Sequence, residues 1–311
     1  SRSRGGPRSE SKPSEGGVSR YHRATDSWNN YTKSDGLVDN EITTITVDED
    51  SVWFGTQNAG VSQYSKVDQT FIKTFTKTDL LKSNIITSIC ADGIQVWFGT
   101  ADAGVHRYIK AVNTWVHYTQ ADGLASNHVT WITVQGNNVW FGSKEDGVSR
   151  FDKVSGKWTI YAQADLLADN DVRDIARDAD GKLWIATVAG LSTYHPQTHS
   201  WEVISREEGL TTSYITSVQI EEGSAEARGQ GGEGASHQSV RSGVQPPNNI
   251  TSHQSPVTNT GRVWMGTDRG IGSRALNQPE WTFHLPLNGE GDSFVTALDV
   301  DEGVIWLGTS S

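Results

Sequence analysis

The chain has 311 residues, with 26 Lys and Arg against 37 Asp and Glu, for a formal charge of −11. That acidity excludes the basic face a nucleic-acid backbone requires and argues against docking on an anionic membrane. A single cysteine, Cys90, excludes an intramolecular disulfide and a thiolate metal cluster, and leaves the redox compartment open.

Residues 1–15 are rich in Gly, Ser, Pro and charge and nearly devoid of apolar side chains, so they cannot bury enough surface to offset the entropy of ordering and are expected to be disordered. The opening SRSRGGPRSESKPSEGG also lacks the apolar stretch of a signal peptide, and no run approaches the roughly 18 apolar residues of a membrane-spanning helix. The first residue is Ser1 and not Met, from which a processed or excised chain is expected, and in a piece of a larger protein the address and output domain are expected outside it.

From Gly17 onward, short runs of alternating and often β-branched residues predict strands, and no helical period of useful length is present. Gly17–Tyr31 is expected to hold one strand pair. In the next unit Gly60–Tyr64 predicts a strand and Phe71–Thr76 another; a turn through Asn84 leads to Ile86–Asp92, and Gln95–Thr100 follows. The phrase VWFGT marks the period: Trp53, Trp97, Trp140, Trp184, Trp264 and Trp306 are separated by 44, 43, 44, 80 and 42 residues. The long interval is one period plus residues 223–261, a second Gly-, Ser-, Gln- and Asn-rich stretch expected to be disordered within the fifth inner strand pair.

A period of about 40 to 45 residues in a strand-rich chain is the signature of a β-propeller blade, because a small sheet cannot bury both faces until its neighbours stack on it. The predicted fold is all-β: a six-bladed β-propeller of four-stranded blades forming one domain over 16–311. By analogy with other propellers, the Ile86-type strand is innermost, VWFGT second, GVSQY third and the Trp-bearing strand outermost. The chain opens on an outer pair and closes on an inner pair (Phe294 to Thr309), so its ends are expected to complete one blade, which removes open sheet edges.

The unit G-V-S-R-Y, then Trp, then Y-T-x-x-D-G-L-x-x-N-x-I-T-x-I-x-x-D, then V-W-F-G-T resembles the two-component regulator propeller repeat, most clearly over Gly17–Thr56 and Gly104–Ser143. The resemblance covers nearly the whole chain outside the two low-complexity stretches. It implies a sensory propeller of the kind found in bacterial hybrid sensor kinases, periplasmic or extracellular, often alongside carbohydrate-use genes, with no catalytic residues and no cofactor. The kinase and membrane segment of such sensors are not in this sequence, so a larger sensor polypeptide or a separate partner is implied.

Positions occupied alike in every unit are best explained by what every blade needs. The Trp53 column and the column Trp28, Phe71, Trp115, Trp158, Trp201 and Trp281 are expected to fill the gaps between sheets; the alternative is an aromatic sugar platform. The acidic column Asp35, Asp79, Asp122, Asp165 and Glu208 reads as turn capping, with a calcium-binding ring as the sharper alternative. The column Asn40, Asn84, Asn127 and Asn170 raises the same choice, and its repetition favours a structural role.

Function is therefore sought where repetition breaks. The position after the Asn column holds Glu41, Ile85, His128, Asp171, Tyr214 and Phe294, expected to rim one mouth of the channel. Two positions further, the column Thr43, Thr87, Thr130, Thr216 and Thr296 is interrupted by Arg173; its neighbour Thr44, Ser88, Ser217 and Ala297 is interrupted by Trp131 and Asp174. With His128 and Asp171 these form an asymmetric cluster suited to a small ligand such as an oligosaccharide; the alternative is that Arg173 pairs with Asp171 or Asp174 in a structural ion network. Variable loops on the same face (Asn58; Lys144, Glu145 and Asp146; Asp268 and Arg269) suit a protein partner, and equally suit undemanding surface. The insertion is expected on the opposite face.

Enzymatic readings are weak. The nine His show no metal-ligand spacing, and there is no G-x-S-x-G nucleophile. Asp178-Ala-Asp-Gly-Lys-Leu-Trp184 approaches the Asp box but has Ala179 where its carboxylate belongs, and reads as an ordinary turn. A lyase like the streptogramin B lyases, with His128 as base and bound Mg²⁺, is the catalytic alternative; a protein-interaction scaffold is the non-catalytic one.

Overall fold

The computed structural model describes residues 16–22, 25–165, 167–222, 261–284, 294–301 and 304–310. The expected disordered stretches, 1–15 and 223–261, fall outside these residues, Gly261 excepted. Among the described residues the structure is all strand, apart from turns and four three-residue 3₁₀ helices.

β1 (Val18–His22) and β2 (Ser27–Tyr31) form a two-stranded sheet. Four-stranded sheets follow in chain order: β3 (Ile42–Val47), β4 (Ser51–Thr56), β5 (Val61–Ser65) and β6 (Thr70–Phe75), then β7 (Ile86–Asp92), β8 (Gln95–Thr100), β9 (Val105–Ile109) and β10 (Thr114–Tyr118). The third holds β11 (Val129–Gln135), β12 (Asn138–Ser143), β13 (Val148–Asp152) and β14 (Trp158–Tyr161). The fourth holds β15 (Val172–Arg177), β16 (Leu183–Thr187), β17 (Gly190–His195) and β18 (Ser200–Ile204). The fifth holds β19 (Ile215–Glu221), β20 (Arg262–Thr267), β21 (Gly270–Ala275) and β22 (Thr282–His284), and β23 (Phe294–Asp301) pairs with β24 (Val304–Ser310). The strand order within each blade is the one expected, and the 24 strands among the described residues are six blades' worth, with an outer pair first and an inner pair last.

The chain divides into two compact units, Ser1–Ile175 and Ala176–Ser311. In the first, consecutive sheets are packed through the VWFGT tryptophans. Trp53 is fully buried and meets Phe75 of its own sheet and Phe98 and Tyr108 of the next, with ring centroids 5.6–6.1 Å apart. Trp97 repeats the arrangement with Phe141 and Phe151 at 5.6 and 5.8 Å. Each buried indole removes a large apolar area from water, worth about 3 kcal/mol. The glycine of VWFGT permits this approach: a Cβ on Gly55 would lie 2.6 Å from the Thr44 methyl and 2.7 Å from Ile86. In the second unit the counterpart core is built on Trp184, Leu191, Ile215, Val218, Val263 and Met265.

The strand predicted at Gly60–Tyr64 begins one residue later, at Val61, and its partner runs Thr70–Phe75 instead of Phe71–Thr76. Gly60 adopts φ +91°, outside the strand, and its N–H is spent on Asn84 O at 2.9 Å. The threonine of VWFGT then fastens the same turn, Thr56 Oγ1 donating to Gly60 O at 2.8 Å.

Candidate functional site

The repeated polar columns are consumed by the turns that carry them. The carboxylates of Asp35, Asp79, Asp122, Asp165 and Glu208 accept backbone N–H groups from the residue three before each, at 2.8–3.1 Å. Asn40, Asn84, Asn127 and Asn170 accept, through Oδ1, the N–H seven residues earlier at 2.6–3.0 Å. Among the described residues no group of three or more His, Cys, Asp or Glu is placed to hold a metal ion. The aromatic columns are mostly core: Trp115 and Trp158 are half-buried, packed on Tyr108 and Phe151 with centroids 4.8 Å apart. Trp28 is the exception at 65 % exposed, lying against Tyr21.

The innermost strands owe their side-chain directions to a β-bulge. Pairing with the second strand slips between Ile42 and Thr44, between Ile86 and Ser88, and between Val129 and Trp131. The skipped residues are Thr43, Thr87 and Thr130, the expected threonine column. A bulge leaves its extra residue unpaired and re-aims it. Thr43 thereby donates to Ile86 O on the neighbouring inner strand at 2.6 Å, and Thr130 to Val172 O at 2.7 Å. Arg173 occupies the equivalent place in β15.

In the first unit, then, β11 and β15 run side by side and carry the predicted cluster. His128 is half-buried, with no hydrogen bond to its ring among the described residues. Arg173 Nη2 donates to Asp171 Oδ2 at 2.8 Å, the pairing foreseen as the structural alternative, while Asp171 Oδ1 is buried with no partner. Burial raises the Asp171 pKa despite the opposing pull of Arg173 and, more weakly, Lys144. Trp131 is anchored, its indole N–H donating to Ile175 O at 3.0 Å. Asp174 is buried at 4 % exposure, with Oδ1 accepting the N–H of Ile175 at 2.7 Å. Glu41 is exposed and meets Asn58 Nδ2 only at 3.5 Å. Lys144, Glu145 and Asp146 are exposed at the β12–β13 turn.

In the second unit, Tyr214 and Phe294 meet with ring centroids 5.7 Å apart. Asp268 accepts the Thr212 hydroxyl at 2.6 Å, which holds that loop, and Arg269 is exposed.

Sequence reading missed two features. The Asp178–Trp184 turn, with Ala179 at the Asp-box position, is fastened by Asp178, which accepts the Lys182 N–H at 2.9 Å and the Trp184 indole N–H at 3.0 Å. The signal was Asp178 itself, one position before Ala179. The other is His106, which stands where Ser62 and Ser149 stand in adjoining sheets, opposite the Phe of VWFGT.

A cavity of about 520 Å³ lies between β1–β2 and the β3–β6 sheet, lined by Val18, Tyr31, Ile45, Phe54, Tyr64 and Phe71 among others. Tyr31, Phe54, Tyr64 and Phe71 match, repeat for repeat, the Phe75, Phe98, Tyr108 and Trp115 that surround Trp53 and its neighbours. The cavity thus has the walls of an inter-sheet seam, and Ile45, which lines it, is 54 % exposed, whereas Ile89, its counterpart, is 5 %.

Residues 166–189 match the family model described as two component regulator propeller. No curated protein matches the chain in sequence. Among solved structures, the chain is similar to the extracellular domain of BT3049 from B. thetaiotaomicron, described as a hybrid two component system, with 20% identity and a TM-score of 0.66 over 95% of this chain and 36% of that one. The extracellular domain of BT4673 from B. thetaiotaomicron, described as a one component system, gives 16% identity and a TM-score of 0.66 over 95% and 37%. PorZ, a surface component of the type-IX secretion system of Porphyromonas gingivalis, gives 14% identity and a TM-score of 0.60 over 92% and 41%. The chain therefore spans roughly a third of the length of the two sensor domains. Together with the recurring blade, these likenesses show an all-β propeller fold, and residues 166–189 of it match the two component regulator propeller model.

Proposed function

We propose that this propeller is the ligand-recognising, non-catalytic sensory part of a larger signalling polypeptide that works outside the cytoplasm. The repeat supports the sensory class, and the likeness to extracellular domains more than twice its length supports a larger parent. The observation that carries the ligand site is the break in the bulge column of the first unit. Where Thr43 and Thr130 spend their side chains on a neighbouring carbonyl, β15 carries Arg173, bound to a half-buried Asp171, and the adjoining β11 is preceded by His128, whose ring makes no hydrogen bond among the described residues. Such a group offers a fixed ion pair and an imidazole, the few polar groups that orient a small polar ligand such as an oligosaccharide. Glu41 extends it; Trp131 and Asp174 act by holding β11 and β15. In the second unit Tyr214 and Phe294 offer an aromatic surface.

The test is a thermal-shift screen with neutral and acidic oligosaccharides. A ligand at a hundred times its Kd adds roughly 2.7 kcal/mol of stability. The shift should vanish in Arg173→Ala and in His128→Ala, and the unliganded melting temperature should hold in His128→Ala. A hit untouched by both substitutions, or silence across the panel, counts against the site. In the second case the turns at Asn58 and at Lys144, Glu145 and Asp146 in the first unit, and separately that at Asp268 and Arg269 in the second, become the surfaces to test for a protein partner.

A further inference from the structure

In three of the sheets the turn leading in is latched to the sheet's third strand by one hydrogen bond with a constant offset. Val38 N–H donates to Ser62 Oγ at 2.8 Å, and Ala125 N–H donates to Ser149 Oγ at 2.8 Å. In the β7–β10 sheet the same bond runs from Lys82 N–H to Nε2 of His106, at 3.0 Å. All three pairs are separated by 24 residues, so this is one latch with one altered acceptor. A hydroxyl accepts at any pH. An imidazole nitrogen accepts only through a lone pair that protonation removes.

We propose that His106 makes the 76–84 turn an acid-labile latch, the one among these three whose opening is driven by protons. His106 is 1 % exposed, and its ring is stacked on His117 of β10 at 4.4 Å and 17°. Because Nε2 accepts, the proton of the neutral ring sits on Nδ1, which is buried with no partner. A second proton on Nε2 would break the bond to Lys82 and place a buried cation against the His117 ring and near the Lys82 ammonium. His117 in turn acts on Asp122, beyond β10. Burial, then His117, then Lys82 hold the His106 pKa down to about 3. The closed latch therefore stays neutral, whereas in the opened turn the ring regains its ordinary pKa of about 6.5. Opening is then coupled to proton uptake: the open fraction rises about tenfold by pH 5.5 and about a hundredfold by pH 4.5, relative to pH 7.5.

The experiment is hydrogen exchange resolved to single amides, with the Lys82 amide read against those of Val38 and Ala125 in the same molecule to cancel the intrinsic pH trend. The expected result is a Lys82 protection that falls about tenfold per pH unit below about 6.5 relative to the two serine-held amides. A constant ratio overturns the proposal. So does parallel loss at the core amides of Trp53 and Val96, which would make the acid effect global. His106→Ser and His106→Gln both keep a non-titrating acceptor and should flatten the dependence; an acid slope that survives in either variant also overturns it. If neither variant folds, the ratio in the unaltered protein decides alone.

Discussion

Asp178 accepts the indole N–H of Trp184 at 3.0 Å, whereas the corresponding indoles of Trp53 and Trp97 are buried with no acceptor. The fold therefore tolerates an unpaired indole in this column, and the second bond of Asp178, to Lys182 N–H, gives the carboxylate much of its value. Asp178→Ala should cost about 2–3 kcal/mol, since hydrogen bonds to a buried charged acceptor are worth about 1.5–3. Asp178→Asn keeps one acceptor oxygen and should cost about half as much. Denaturant unfolding followed by tryptophan fluorescence checks both, and an alanine variant as stable as the parent would refute the role.

Two glycines with positive φ separate backbone conformation from crowding. Gly93 has φ +58° with open space around it, whereas Gly60 has φ +91° and a Cβ there would collide with the carbonyl oxygen of Phe75. Gly93→Ala should cost about 1 kcal/mol, the usual left-handed penalty. Gly60→Ala must also displace β6, so its loss should be at least about twice as large. Paired melting curves decide it, and equal losses would mean that the β6 strand yields freely.

The repeat was legible because every blade poses the same packing problem: Trp53, Trp97 and Trp140 answer it with the same residue at the same step, and strand order follows by analogy. Strand starts moved by one residue where Gly60 leaves the ladder. What could not be read was the aim of side chains. The bulge at Thr43, Thr87 and Thr130 depends on cross-strand register, which the local pattern does not encode. So Trp131, expected in the ligand cluster, has its indole N–H bonded to Ile175 O, and Asp174, expected in the same cluster, is buried. The His106 latch was visible as a break in a serine column, yet its meaning required the bond to Lys82.

The acidic column predicts indifference to calcium. Asp122 accepts both the N–H and the hydroxyl of Thr119, and these bonds lower its pKa. A carboxylate already engaged with its own turn gains little from a cation. Chelator and added calcium should both leave the melting temperature unchanged, while Asp122→Ala should cost about 1 kcal/mol as a lost cap. A calcium-dependent rise in stability that disappears in Asp122→Ala would restore the metal ring.

The Asp171–Arg173 pair predicts a trade between stability and binding. Desolvation raises the Asp171 pKa above its ordinary value in spite of Arg173, so the folded state holds that proton more tightly than the unfolded chain does. The sign follows: the group favours folding at low pH, and the advantage is lost as pH rises from about 3.8 through the folded pKa, leaving a constant penalty at neutral pH. Asp171→Asn removes the charge that is penalised. At pH 7 it should be no less stable than the parent, and the difference should close as the pH falls below about 4, where both side chains are neutral. Ligand-induced stabilisation should nevertheless be lost, because Arg173 no longer has the carboxylate that orients it. Melting curves from pH 3 to 8, with and without the ligand found in the oligosaccharide screen, read both halves. A variant destabilised at pH 7 that still binds would show the pair to be purely structural, since an ion network needs the charge for folding and a recognition site needs it for the ligand.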